Sequence, residues 1–162
     1  MSDFLPAAMP APFPGMESVD SQMQLLAQRW EEMSIALEQN EVPIGCVVVC
    51  QGTVIARAHN LTLTLTDPTA HAEMQAITMA CDYLGGRYLT DCTLYVTVEP
   101  CPMCAAALAW AQLGRLVWGA DDPKRGYTLF SPNLLHPKTQ TLKGVLAEEC
   151  GGLVSDFFKS KR

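Results

Sequence analysis

The chain has 162 residues, 49% hydrophobic and 17% charged, which suits one globular domain with one core. No apolar run approaches the roughly 20 residues of a membrane span, and seven cysteines, an odd number, fit a reducing cytoplasm better than a disulfide framework. The net charge of −6 excludes a uniformly basic nucleic-acid binder, but residues 1–114 hold three Lys or Arg against twelve Asp or Glu, and residues 115–162 hold eight against five. Arg115, Lys124, Arg125, Lys138, Lys143, Lys159, Lys161 and Arg162 thus gather in the last third, as a solvated face or as contacts for phosphates.

Residues 1–19 carry Pro6, Pro10, Pro12 and Pro14 among alanines and methionines, without the basic start and apolar stretch of a secretory signal. They read as a disordered tail ahead of a single domain over 20–162. Met23, Leu26, Ala27, Trp30, Met33 and Leu37 recur at three and four and predict an amphipathic helix over 20–39 that covers one face of a sheet. Strands follow at 44–50 and 53–58 around Gln51-Gly52, with Cys46 and Cys50 on one side, buried as small hydrophobes. Asp67-Pro68-Thr69, with Thr69 as cap, opens an alanine-rich helix over 70–81. A strand over 93–98, a helix over 105–113 and a strand over 115–120 imply parallel neighbours joined by a right-handed crossover. A strand over 141–146 and a helix over 147–158 complete a mixed, about five-stranded sheet with helices on both faces, a three-layer α/β/α sandwich. Trp110 and Trp118, inside an apolar helix and an apolar strand, read as core or dimer packing rather than base-stacking platforms.

Two strings carry the chemistry: His71-Ala72-Glu73 and Pro100-Cys101-Pro102-Met103-Cys104. His71, Cys101 and Cys104 make a nitrogen and sulfur set for Zn²⁺ that leaves the fourth tetrahedral position to water. Helix positions two apart diverge by about 200°, so His71 and Glu73 converge on one metal only at a helix start. The cysteines also open a helix, where the peptide dipole favours thiolate. Glu73 is not needed as a ligand and is free to move protons between the zinc-bound water and a substrate nitrogen. Cys-x-x-Cys alone also suits a redox pair or half a zinc knuckle. Cys46, Cys50, Cys81, Cys92 and Cys150 form no second such pair, however, and a redox motif leaves the His-x-Glu unexplained. Together the strings form the signature of zinc-dependent nucleobase deaminases.

With Glu41-Val42-Pro43-Ile44-Gly45, Asn60 ahead of Asp67-Pro68-Thr69-Ala70-His71-Ala72-Glu73, Leu94-Tyr95-Val96-Thr97-Val98-Glu99-Pro100-Cys101, and Asp156-Phe157-Phe158, the chain resembles the cytidine deaminase-like superfamily. Within it the resemblance is to the bacterial tRNA-specific adenosine deaminases, over about residues 23–162. It implies the three-layer fold, one zinc per chain, a homodimer, and hydrolytic conversion of the wobble adenosine of a tRNA anticodon to inosine. It further implies that Asn60 and the backbone of Ala72 hold the flipped base, and that Asp122 and Lys124 lie beside the RNA. By their own chemistry Asn60 and Asp122 are also turn formers. Ala106 stands where such proteins often have Gly, and Tyr127-Thr128-Leu129-Phe130 where they have small residues, which touches substrate identity. Guanine deaminases share the zinc strings, so a free base or nucleoside is the alternative substrate. A catalytically silent zinc-containing RNA-binding or interaction protein is a third reading, and one with no use for Glu73.

Overall fold

Ser18 starts the first helix, its Oγ accepting the Ser21 N–H at 3.1 Å, and α1 runs Val19–Leu37. The computed structural model describes residues 18–37 and 40–162; the expected tail over 1–17 and the expected end of the helix at 38–39 lie outside the described residues. After α1 come β1 (Gly45–Cys50), β2 (Thr53–His59), α2 (Ala72–Leu84), β3 (Cys92–Val98), α3 (Pro102–Trp110), β4 (Arg115–Ala120), β5 (Gln140–Lys143) and α4 (Ala147–Ser160). The sheet order is β2-β1-β3-β4-β5. β1 is antiparallel to β2 and β3, and β3, β4 and β5 are parallel, as the strand-helix-strand pattern predicts.

Alternation along the strands divides the core between the two faces. Cys46, Val48, Leu94, Val96, Leu116 and Trp118 lie under Ala72, Ala76 and Ala80 of α2 and Ala105 and Leu108 of α3. Val47, Tyr95 and Val117 lie under Met23 and Ala27 of α1. The expected α/β/α sandwich is therefore the observed one, and the short alanines let α2 sit close to the sheet.

Several boundaries move: α2 runs on to Leu84, α3 stops at Trp110 and α4 reaches Ser160, and three further shifts have a local cause. The helix expected over 105–113 starts earlier, with Cys101 at the N-cap position, because Pro102, with its preset φ, suits its first turn. The helix expected over 70–81 begins at Ala72, capped by His71 rather than Thr69. The strand expected over 141–146 ends at Lys143, because Gly144 takes a positive φ of 86° and leaves the extended conformation. Trp118 is core, edge-on to Tyr127 and donating to Asp121 Oδ1 at 2.8 Å. Trp110 is not: as the last residue of a short helix it is 85% exposed.

The face that α1 buries also differs from the expected stripe. Met23 and Ala27 are buried, but Met33 and Leu37 are 49% and 71% exposed, while Gln24, Gln28, Glu31 and Ser34 go inside. Gly45 explains the orientation, because a Cβ there would strike the Ala27 carbonyl and the backbone of Glu31, so α1 lies directly on β1. Gln24 Nε2 then reaches the Val96 carbonyl at 2.5 Å. Burial pushes the Glu31 pKa up to about 8, with Thr97 beside it offsetting the shift only in part. A folded pKa raised above the unfolded value means a stabilising contribution that is full below the ordinary value near 4.5 and is lost as pH rises through about 8. Glu31→Gln, neutral throughout, is expected to gain on the order of 3 kcal/mol at about pH 8 and little at about pH 4.5. Urea unfolding at the two pH values checks this, and an equal effect at both would contradict a neutral buried carboxyl.

Candidate active site

His71 sits at the N-cap of α2 with extended backbone, and Glu73 is in the first turn. Asp67 shapes the approach, its Oδ1 accepting the Thr69 N–H at 2.8 Å and the Thr69 hydroxyl at 2.7 Å. Cys101 holds the same position on α3, and Cys104 is one turn in. The first helical bonds run from Gln75 N to His71 O and from Ala105 N to Cys101 O, so both helices begin at the site. Two positive helix ends thus meet where the sulfurs lie.

His71 Nδ1 is 3.6 Å from Cys101 Sγ and 3.5 Å from Cys104 Sγ, and the three ligating atoms lie within 4.8 Å of one another. Zinc–sulfur and zinc–nitrogen bonds of about 2.3 and 2.05 Å at a tetrahedral angle separate N and S by about 3.6 Å, so the residues fit a tetrahedral metal. Hydrogen bonds from Cys104, from His71 and from the Cys104 backbone hold the Cys101 thiol down at about 4. The Cys104 thiol is raised, because it is the proton donor to Cys101 and is buried. The Cys101 sulfur raises the His71 pKa, and the ring also bonds to the Pro68 carbonyl, which orients Nδ1 toward the sulfurs. Glu73, 4% exposed, is pushed up to about 7 by burial, with the Cys101 charge adding to the shift.

These directions carry a consequence for metal loading. Without metal the site is one thiolate sharing one thiol proton, and a metal bound by both sulfurs expels that proton from Cys104. Affinity is therefore expected to rise by at least about tenfold per pH unit between about pH 6 and 8, more where His71 is still protonated. Chelator competition across that range measures the slope, and a flat response would mean that Cys104 is not a ligand.

Asn60 is 6% exposed at the end of β2, with its Nδ2 donating to Thr62 Oγ1 at 3.3 Å. Ala72 is the first residue of α2, and its carbonyl accepts the Cys46 thiol at 3.3 Å. Asp122 acts as the turn former: its Oδ1 accepts the Lys124 and Arg125 N–H groups, both at 3.0 Å, leaving those two side chains exposed. Glu41 and Glu99, buried at 2% and 5% exposure, have no role that the sequence motifs mark. Glu99 ties the metal loop to the loop of Asp122, accepting the Asp122 N–H at 3.2 Å, the Thr128 N–H at 3.1 Å and the Thr128 hydroxyl at 2.7 Å. A Cβ on Gly126 would strike this carboxylate. The only signal of both glutamates is a carboxylate among apolar neighbours at a strand end, which must find partners if buried.

The tRNA-specific adenosine deaminase of Bacillus subtilis is 47% identical over 137 residues, covering 82% of this chain and 85% of that one. This chain belongs to the tRNA-specific adenosine deaminase family. Residues 20–162 also match the model of the MafB19-like deaminase family. A solved structure from studies of A-to-I editing by tRNA deaminases at the wobble position is 40% identical, with a TM-score of 0.74, over 82% of this chain and 99% of that one. The guanine deaminase of Bacillus subtilis is 37% identical with a TM-score of 0.61, over 65% of this chain and 66% of its own. Of these two solved structures, the one from the tRNA deaminase studies is matched over more of both chains.

Proposed function

We propose that the protein is a zinc-dependent hydrolase that converts the wobble adenosine of a tRNA anticodon to inosine. The observation that carries this reading is the buried Glu73 carboxyl beside a three-ligand set at two helix starts. A zinc ion held there by His71, Cys101 and Cys104 would supply the Lewis acidity that brings water toward hydroxide near neutral pH. Glu73 accepts a proton from the attacking water, delivers it to N1 of the adenine, and passes a second to the departing amine. Oxygen ends on C6 and N6 leaves as ammonia. The backbone N–H of Ala72, in the first turn of α2, has no acceptor within the helix and is available to the base. Asn60 spends its amide nitrogen on Thr62 and keeps Oδ1 for the flipped base.

The same reading includes a homodimer. Trp110, beside the half-exposed Tyr88, presents an aromatic patch on the outside of α3 that a second copy would cover. It also includes a reducing cytoplasm, in which none of the seven cysteines is paired in a disulfide. The RNA contacts fall to the loop of Asp122, Lys124 and Arg125 and to the basic end of α4. The deciding experiment incubates unmodified total tRNA with the zinc-loaded protein, maps inosine by sequencing, and measures ammonia release from guanine in parallel. Inosine at the wobble position is the expected result. Turnover of guanine with no inosine in any tRNA would overturn the reading in favour of a free-base deaminase.

A further inference from the structure

Glu41, in the segment of chain that links α1 to β1, is buried, and none of the steps above uses it. Both its oxygens are taken by consecutive N–H groups of one loop, Oε1 accepting from Leu63 at 2.9 Å and Oε2 from Thr64 at 3.2 Å. The loop leaves β2 at Asn60 and returns to the metal site, the Leu61 N–H bonding to the carbonyl of Ala70 at 2.9 Å, one residue before His71. Leu63 and Leu65 are 62% and 51% exposed, so little apolar burial fixes the conformation and hydrogen bonds must do so. One residue before the clamped N–H groups stands Thr62, whose hydroxyl accepts the Asn60 amide.

We propose that Glu41 is a positioning residue that presets the Asn60 side chain for the extruded base, by clamping the loop over 61–66 through two charge-assisted hydrogen bonds. The proposal rests on the reading of Asn60 as the residue that holds the base. A carboxylate suits the task because two acceptor oxygens on one carbon match two adjacent N–H groups, and bonds to a charged acceptor are about twice as strong as neutral ones. Without the clamp the loop samples other conformations, only a fraction of the molecules can bind, and apparent affinity falls by that fraction. Once the nucleotide is seated, the chemistry at Glu73 proceeds as before.

The test compares wild type, Glu41→Ala, Glu41→Gln, Asn60→Ala and the Glu41→Ala/Asn60→Ala double variant on an anticodon stem-loop, with zinc content and hydrogen exchange recorded for each. For Glu41→Ala, KM is expected to rise about tenfold with kcat within about twofold, zinc unchanged, and exchange faster at Leu63 and Thr64. Glu41→Gln, which keeps one acceptor, falls between. The double variant should be no slower than Asn60→Ala alone, since the clamp acts through Asn60. Additive losses, or a wild-type KM for Glu41→Ala in an enzyme that Asn60→Ala disables, would overturn the role of Glu41. Near-normal activity of Asn60→Ala is a separate result, which removes Asn60 as the holder of the base and the positioning role with it.

Discussion

Glu73→Ala is expected to keep the fold and the metal while deamination falls by about three orders of magnitude, within the range for loss of a positioned general acid and base. The carboxyl is not needed for stability. Burial opposes its charge, as the pKa of about 7 records, and alanine is the best helix former at an interior position of the first turn. Nor is it needed for the ligand set, which His71 and the two cysteines complete. Its removal takes away only the group that shuttles protons between water, N1 and the leaving amine. Glu73→Gln should be nearly as inactive, because it preserves the shape and hydrogen bonding of the side chain but cannot exchange a proton. Single-turnover rates on the stem-loop, with zinc content and thermal melting measured on the same samples, make the test. Substantial activity in either variant would remove Glu73 from the mechanism, and loss of zinc would recast it as a ligand.

The convergence of His71, Cys101 and Cys104 is legible in the sequence because coordination chemistry restricts residue types and the helix starts restrict spacing. His71 and Cys101 at two N-caps and Cys104 one turn in are what those restrictions require. Strand order and direction are legible for a related reason, since strand-helix-strand admits one common crossover. The orientation of α1 is not. Hydrophobic periodicity reports side-chain polarity, whereas the closeness of α1 to β1 is set by a missing Cβ at Gly45 and a carbonyl at Ala27, and that approach draws Glu31 and Gln24 inward. Glu41 and Glu99 escape for another reason. Apart from the Thr128 hydroxyl, their partners are backbone N–H groups, which any residue supplies and no motif marks. Arg115 shows the limit of counting charge along a chain: it belongs by number to the basic last third, yet Asp20, 95 positions away, binds it through two bonds of 2.7 and 2.9 Å.

That pairing decides which cations remain for RNA. Arg115 is committed to Asp20, Lys143 lies 3.5 Å from Asp121, and Lys161 donates to Asn40 Oδ1 at 2.6 Å; of the other exposed cations, Lys124, Arg125, Lys138, Lys159 and Arg162, the loop of Asp122 carries Lys124 and Arg125 and the last turn of α4 carries Lys159. The backbone of the Lys124 and Arg125 turn is held by Asp122, so neutralising those side chains leaves the loop in place. Affinity for an anticodon stem-loop is accordingly expected to fall steeply with salt, because each phosphate that meets a cation releases condensed counterion on binding. The triple variant Lys124→Ala, Arg125→Ala, Lys159→Ala should bind more weakly at low salt and lower the slope of log K against log salt by about 2 to 3, at roughly 0.7 to 0.9 for each phosphate no longer neutralised. A small neutral base brings no counterion atmosphere, so turnover of guanine would be nearly blind to salt and to the three charges. Binding isotherms for wild type and variant from low to physiological salt separate the cases. Parallel slopes would show that these side chains only solvate the surface, and the cations that meet the phosphates would then have to come from elsewhere on the chain.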